Sequence, residues 1–117
     1  MGLSYCWEKF FAGTLTLAQG NGTPAERLAA AFQQIGRLKA GTSPQKMPTS
    51  DLEDRFNRLH ASMTARGSYD ASAAAMDEVT VHKTIEEVVS ILNTLAGELA
   101  LEDRREDDEY RDRSKRR

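Results

Sequence analysis

The apolar side chains between residues 81 and 99 recur at alternating spacings of four and three residues. That spacing places them on one face of an α-helix and predicts a long helix in the last third of the sequence. Val89, Ile91 and Ala96 widen the face to about 160°, which exceeds the seam that one partner helix requires. The helix therefore either lies between two neighbours, which is the expected arrangement, or keeps one flank for another chain. The residues of the repeat are Val81, Ile85, Val88, Leu92, Leu95 and Leu99.

An aromatic-rich segment from about Leu3 to Gln19 predicts the first helix. Gly13 and the alternation TLTL weaken the helical pattern, and the segment GNG then ends it. Three aromatic residues within five positions are expected to anchor the core. Leu15 and Leu17 lie on the flanks of the expected buried face. That face contains Leu3, Trp7, Phe10, Phe11, Thr14 and Ala18.

Capping signals mark the starts of the next two helices. Thr23 precedes Pro24 and stands three residues before Glu26, which is a capping box with proline at the first helical position. Ser50 stands three residues before Glu53 in the same pattern, so it is the expected N-cap of the third helix.

Gly36 falls within the apolar stripe of the second helix, which is expected to end near Lys39. A glycine inside a helix costs about 1 kcal/mol relative to alanine. Either the backbone of another helix approaches closely here, or the glycine is merely tolerated. The segment AGTSPQKMP at 40–48 predicts a loop, and ASAAAM at 71–76 predicts a short turn of helix.

These patterns predict an all-α fold, a small bundle of four main helices with a charged C-terminal helical extension. By size, residues 1–100 form a single helical-bundle domain, and residues 101–117 form the extension. From Glu102 onward, seven acidic and seven basic side chains occur without glycine or proline, so the fourth helix is expected to continue as a solvent-exposed, fraying projection. The candidate contacts for a phosphate or an acidic patch are Lys115, Arg116 and Arg117.

The residues that most often carry chemistry form no catalytic, cofactor or metal motif. His60 lies on the apolar side of the third helix, where a core-edge residue with a hydrogen-bond partner is expected. His82 stands four residues from both Glu78 and Glu86, but it lacks the second histidine of a zinc motif. Cys6 is expected to be a buried apolar residue, since no local signature supplies a base for a nucleophile. The sequence therefore predicts no enzyme, no cofactor and no metal site.

Charge and composition bear on location and on partners. The net charge of −2 provides no positive field for a nucleic acid. A helix-turn-helix joins its helices through three or four residues, whereas about ten separate the second and third helices here. No segment approaches the roughly twenty apolar residues of a membrane span, and a single cysteine fits a reducing compartment. We expect a cytoplasmic protein that binds neither membranes nor nucleic acid.

The order of the segments resembles a family of small, uncharacterised all-helical bacterial proteins. The segments that carry the resemblance are the aromatic-rich first helix, GTPAERLAAAF, LEDRFNRLHASMT, GSYDASAAAM and DEVTVHKTIEEVVSIL. The resemblance covers roughly residues 5–100 and rests on caps and apolar spacing. It implies the same helical layout and transfers no functional residue, and the charged end after Leu101 has no counterpart in it.

Protein–protein interaction without catalysis is the function that these observations favour, and self-association is its simplest form. An alternative is a regulator from a phage or mobile element that blocks a host protein or a nucleic-acid-binding complex. A third hypothesis is an enzyme that uses His60 or His82 with a metal or a small molecule. The candidate interaction residues are Trp7, Phe11, Val89, Ile91 and Ala96.

Overall fold

The computed structural model of the protein describes residues 2–39 and 47–115, with side chains at 3–39 and 47–105. Over these residues the chain forms four long helices, one short helix and no strand, which confirms the predicted all-α bundle. None of the described helices has both the length and the apolar character needed to cross a membrane. The helices are α1 (Gly2–Gln19), α2 (Pro24–Ile35), α3 (Ser50–Thr64), α4 (Tyr69–Ala74) and α5 (Glu78–Lys115).

A short turn joins α1 to α2, and the two helices pack against each other. Gly22 adopts a φ of 99°, which lies in the left-handed region that glycine enters without steric strain. Thr23 is the N-cap of α2, since its Oγ1 accepts a hydrogen bond from the backbone N–H of Glu26 at 3.2 Å. Arg27 donates from Nη1 to the carbonyl oxygen of Leu17 at 3.1 Å, which places a cation at the negative end of α1.

The segment after α2 tightens into a 3₁₀ turn, Gly36–Leu38, and Lys39 caps it. The helical segment therefore ends where the sequence predicts, although its last turn is 3₁₀ and not α. Gly36 lies against a side chain and not against another backbone, because a Cβ atom there would lie 1.9 Å from the hydroxyl oxygen of Tyr69. Most of the predicted loop at 40–48 lies outside the described residues.

The N-cap of α3 is Thr49, so the prediction that Ser50 caps this helix is wrong by one residue. Thr49 has an extended backbone, and its Oγ1 accepts a hydrogen bond from the backbone N–H of Leu52 at 3.2 Å. Glu53 does not close a capping box here. Its Oε2 accepts a hydrogen bond from the backbone N–H of Met47 at 2.7 Å, which ties the preceding segment to the first turn of α3.

Two further caps fix the short α4 and the start of α5. Ser68 Oγ accepts a hydrogen bond from the N–H of Ala71 at 3.1 Å, and α4 accordingly begins two residues before the predicted turn at 71–76. Asp77 Oδ1 accepts a hydrogen bond from the N–H of Thr80 at 2.7 Å. That bond to the ionised carboxylate lowers the pKa of Asp77.

A single hydrophobic core joins the helices. Phe10 of α1, Phe32 of α2 and Phe56 of α3 are fully buried, and the rings of Phe10 and Phe56 meet edge to face at 6.0 Å. Edge-to-face contact is a favourable arrangement because it sets the positive edge of one ring against the negative face of another. Burial of these rings supplies much of the packing that holds marginal helices together.

α5 lies centrally, since it packs against α1, α2 and α3. This central position is the arrangement expected from its wide apolar face, and it still leaves Val89 only partly buried and Ala96 exposed. The helix continues past Leu101, which is 45% exposed, and reaches Lys115 without interruption. At 1.5 Å per residue its 38 residues span about 57 Å, so its last part projects beyond the core. Among its described side chains, up to Arg105, the fully or nearly buried ones are Val81, Thr84, Val88, Ile91 and Leu95.

Candidate protein-interaction surface

The buried face of α1 is rotated from the face that the sequence predicts. Cys6, Phe10, Gly13 and Leu17 point into the core at spacings of four, three and four. Phe11 and Ala18, which were predicted on the buried face, are exposed, and Leu17, which was predicted on a flank, is 9% exposed. Three other members of the predicted face, Leu3, Trp7 and Thr14, are partly buried.

An apolar strip runs along α1 beside this buried face. Leu3, Trp7, Phe11 and Leu15 follow one another at four-residue intervals, and each step turns about 40° further around the helix. The strip therefore begins at the edge of the core and ends in solvent, where Phe11 and Leu15 are each 40% exposed. We call these four residues the α1 strip.

The centre of the α1 strip is an aromatic stack. The rings of Trp7 and Phe11 are 4.8 Å apart and inclined by only 13°. The stack holds the exposed Phe11 ring in place before any partner binds, so little conformational freedom remains to be lost on binding. Large, pre-ordered aromatic side chains are the residues that most often dominate the energy of protein interfaces.

On α5 the predicted interaction residues divide between core and surface. Ile91 is 0% exposed, so the prediction that it contacts a partner is wrong. Its position is explained by rotation of the buried face of α5 toward Thr84 and Ile91, away from Ile85 and Leu92, which are only partly buried. Val89 is partly buried and Ala96 is exposed, so both side chains reach the surface.

Val89 lies on the far side of α5 from the contact with α3. Arg55 of α3 donates from Nε to Glu87 Oε1 at 2.8 Å and from Nη2 to Ser90 Oγ at 2.8 Å. Because residues two apart on a helix point about 160° apart, Val89 faces away from Glu87. Among the described residues, the flank of Glu87 and Ser90 makes hydrogen bonds to α3, whereas the flank of Val89 and Ala96 makes none.

The predicted anionic contacts at the end of the chain lie largely outside the described structure. Lys115 is the last residue of α5, and the structure describes its backbone only. Arg116 and Arg117 lie beyond the described residues. Their interaction with a phosphate or an acidic patch stays a prediction.

His60 lies at the edge of the core, between two aromatic rings. Its imidazole is 6.1 Å from the ring of Phe56 and 6.4 Å, edge to face, from that of Tyr69. Burial lowers the pKa of His60 below its usual 6.5, and the positive charge of Lys39 acts in the same direction. At neutral pH the imidazole of His60 therefore packs between these two rings in its neutral form.

Acidification is expected to destabilise the protein through His60. A lowered pKa in the folded state means that the unfolded chain binds more protons. The contribution of His60 to the free energy of unfolding is therefore fully present above pH 6.5 and is lost as the pH falls through the folded pKa. Urea unfolding between pH 7.5 and 5 should show this loss in the wild type and a smaller loss in His60→Phe. His82→Gln is the control, and an equal effect of both substitutions would contradict the assignment.

The other chemistry-bearing residues do not converge. His82 is 57% exposed on its side chain, and its Nε2 is 3.9 Å from Glu78 Oε1. Burial raises the pKa of the Cys6 thiol to about 11, and the charge of Glu53 adds to this effect, so the thiol is protonated at neutral pH. Within the described part of the chain, no three histidine, cysteine, aspartate or glutamate side chains are grouped as metal ligands.

A polar groove of about 380 Å³ lies between α3 and α5, and the sequence did not predict it. Its cations are Arg55, Arg58 and Lys83, and its anions are Asp51 and Glu87. The mixed charges give no continuous basic surface of the kind that a nucleic-acid backbone requires. No sequence signal could reveal this groove, because it is formed by two helices about thirty residues apart in the chain.

Comparison of the chain with protein-family models, with curated proteins and with solved structures finds no match. The resemblance to small helical bacterial proteins therefore stays a prediction. Any proposal of a function therefore rests on the surface of the molecule, and above all on the α1 strip.

Proposed function

We propose that this protein acts by binding protein through the α1 strip, and that its first partner is a second copy of itself. The observation that carries the proposal is the Phe11 ring, which is stacked on Trp7 and still 40% exposed, with the equally exposed Leu15 one turn further on. Single exposed apolar residues are common on protein surfaces, but a stacked and contiguous set favours an interface.

Val89 and Ala96 of α5 extend the proposed interface. Both reach the surface on the flank of α5 that makes no hydrogen bond to α3. A twofold dimer uses the same patch on both copies, and an apolar strip that runs along a helix can pack against its own symmetry mate. The setting that we propose is the cytoplasm, a reducing compartment in which the single cysteine would remain a thiol.

Sedimentation velocity over a hundredfold range of concentration tests the proposal. The wild type is expected to form a dimer, and Phe11→Ser is expected to weaken the dimer at least tenfold, because it removes the exposed ring and its stack on Trp7. Val79→Ser is the matched control, since Val79 is an exposed apolar residue, at 61%, on a different helix.

Two results would contradict self-association through the α1 strip. One is a wild type that stays monomeric at every concentration, and the other is a dimer that Phe11→Ser leaves intact. Circular dichroism of each variant must show unchanged helix content, so that loss of the dimer cannot be confused with unfolding.

A further inference from the structure

Two adjoining cavities lie beside the first turns of α2, one between α2 and α4 and the other between α2 and the first turn of α5. Their volumes are about 510 and 220 Å³, and both are lined by Thr23 and Ala25. We call the two cavities together the α2–α5 groove. Its floor is apolar because small and aliphatic side chains line it, namely Ala25, Ala29, Ala74, Met76 and Val81.

The charges around the α2–α5 groove have one sign. Glu26, Asp70 and Glu78 line it, and no lysine or arginine does among the described residues. Glu26 accepts a hydrogen bond from the Thr23 hydroxyl at 3.1 Å, and Glu78 lies 3.9 Å from His82. An apolar floor inside a ring of carboxylates fits a segment that carries several cations on aliphatic stems together with an apolar ring.

The C-terminal extension of this chain contains such a segment. Residues 110–117, YRDRSKRR, have five basic side chains and one acidic side chain, a net charge of +4, and begin with a tyrosine. Residues 102–109, EDRREDDE, have two basic and six acidic side chains, a net charge of −4. The extension therefore has a net charge of zero but consists of two oppositely charged halves.

The segment cannot reach the groove of its own molecule while α5 stays helical. α5 begins at Glu78, on the wall of the groove, and runs without a break to Lys115, about 57 Å away. We propose that the α2–α5 groove binds residues 110–117 of a second copy of this chain. This contact is head-to-tail and uses a different surface from the α1 strip, so it stands or falls independently of the proposed dimer.

The basic segment and the α2–α5 groove are complementary both in charge and in apolar surface. Arginine and lysine heads would meet the three carboxylates, while their stems and the Tyr110 ring would cover the alanine, methionine and valine floor. Ion pairs on an exposed rim contribute little individually, so binding should be weak and should fall steeply with added salt.

A synthetic peptide of sequence YRDRSKRR tests the proposal on the full-length protein. Added to isotope-labelled protein at low salt, it should shift the backbone amide signals of residues 23, 25–29 and 70–82, and 300 mM NaCl should abolish the shifts. The peptide EDRREDDE, taken from the same extension, is the control and should shift none of these signals. Shifts confined to the α3–α5 groove or the α1 strip, or no shifts at 1 mM peptide, would overturn the proposal.

Charge reversal in the groove gives the second measurement. Asp70→Lys combined with Glu78→Lys should raise the dissociation constant of the labelled peptide at least tenfold. Asp54→Lys combined with Glu86→Lys makes the same change of net charge outside the groove and should raise it less than threefold. Equal effects of the two double variants would mean that net charge alone attracts the peptide, and this would overturn the site.

The occupant is tested separately from the site. An unrelated basic octapeptide without tyrosine that binds as tightly as YRDRSKRR would overturn the assignment of a second copy. In full-length protein, Glu78→Lys should weaken the association that 300 mM NaCl abolishes, whereas Phe11→Ser should weaken the dimer and leave this salt-sensitive association unchanged. Loss of both the dimer and the salt-sensitive association in Phe11→Ser would overturn the independence of the two contacts.

Discussion

Replacing Phe10 by alanine is expected to lower the free energy of unfolding by about 3–5 kcal/mol. Phe10 is fully buried, and its ring packs edge to face against Phe56, so the substitution removes a large apolar side chain and leaves a cavity that the surrounding helices fill only partly. Urea unfolding followed by circular dichroism measures the change. A loss of this size would be a large part of the total stability of a domain of this length.

The neighbouring residue provides the matched control. Phe11→Ala makes the same chemical change one position along α1, yet Phe11 is 40% exposed and its main contact is the stack with Trp7. We expect a loss of about 1 kcal/mol, which is the order of an exposed aromatic pair. Both variants are measured at the lowest usable concentration, because dimerisation would add to the apparent stability. Losses of similar size would contradict the orientation of α1 in this structure.

The comparison also shows why the sequence predicted α1 as a helix but oriented it imperfectly. Phe10 and Phe11 are both apolar and point about 100° apart on the helix. Periodicity alone therefore allows more than one buried face. Gly13 decides between them. A Cβ atom at Gly13 would lie 2.7 Å from a methyl carbon of Ile35, so the glycine marks the close contact with α2 and not a weak point in the helix.

Local signals were predicted more accurately than contacts between helices. Thr23 caps α2 as its motif indicates, because an N-cap bond joins residues three apart, although the Glu26 carboxylate accepts from the Thr23 hydroxyl and not from its backbone N–H. The same motif at Ser50 was misplaced because Thr49 is an equally good cap and Glu53 has a stronger partner in the backbone of Met47. The short α4 was anticipated, though not the role of Ser68 in starting it.

The candidate site was predictable in part for a related reason. Trp7 and Phe11 were placed on one helix face and their rings do stack, since residues four apart on a helix are neighbours whatever the fold, while their role in an interface stays a prediction. The burial of Ile91 was not predicted, because it depends on how α5 is rotated between three other helices. The α2–α5 groove could not be predicted at all, since it brings together residues from the twenties, the seventies and the eighties of the chain.

Gly36→Ala is expected to lower the free energy of unfolding by about 1–3 kcal/mol, the range for an overpacked site. The added Cβ atom would lie 1.9 Å from the hydroxyl oxygen of Tyr69 and 2.7 Å from the ring carbon that bears it. Tyr69 cannot yield freely, because its ring also packs against Phe32 at 5.4 Å and against His60 at 6.4 Å. Urea unfolding again measures the change.

Removing the Tyr69 side chain should abolish or reverse the loss of unfolding free energy that Gly36→Ala causes. In a Tyr69→Ala background, Gly36→Ala is expected to be neutral or to stabilise by up to about 1 kcal/mol, since Gly36 has right-handed helical angles that alanine prefers. Gly97→Ala is the control, because a Cβ atom there meets nothing within 4 Å and should bring the same gain in the wild type. An equal cost of Gly36→Ala in both backgrounds would show that the glycine is kept for its backbone and not for the Tyr69 ring.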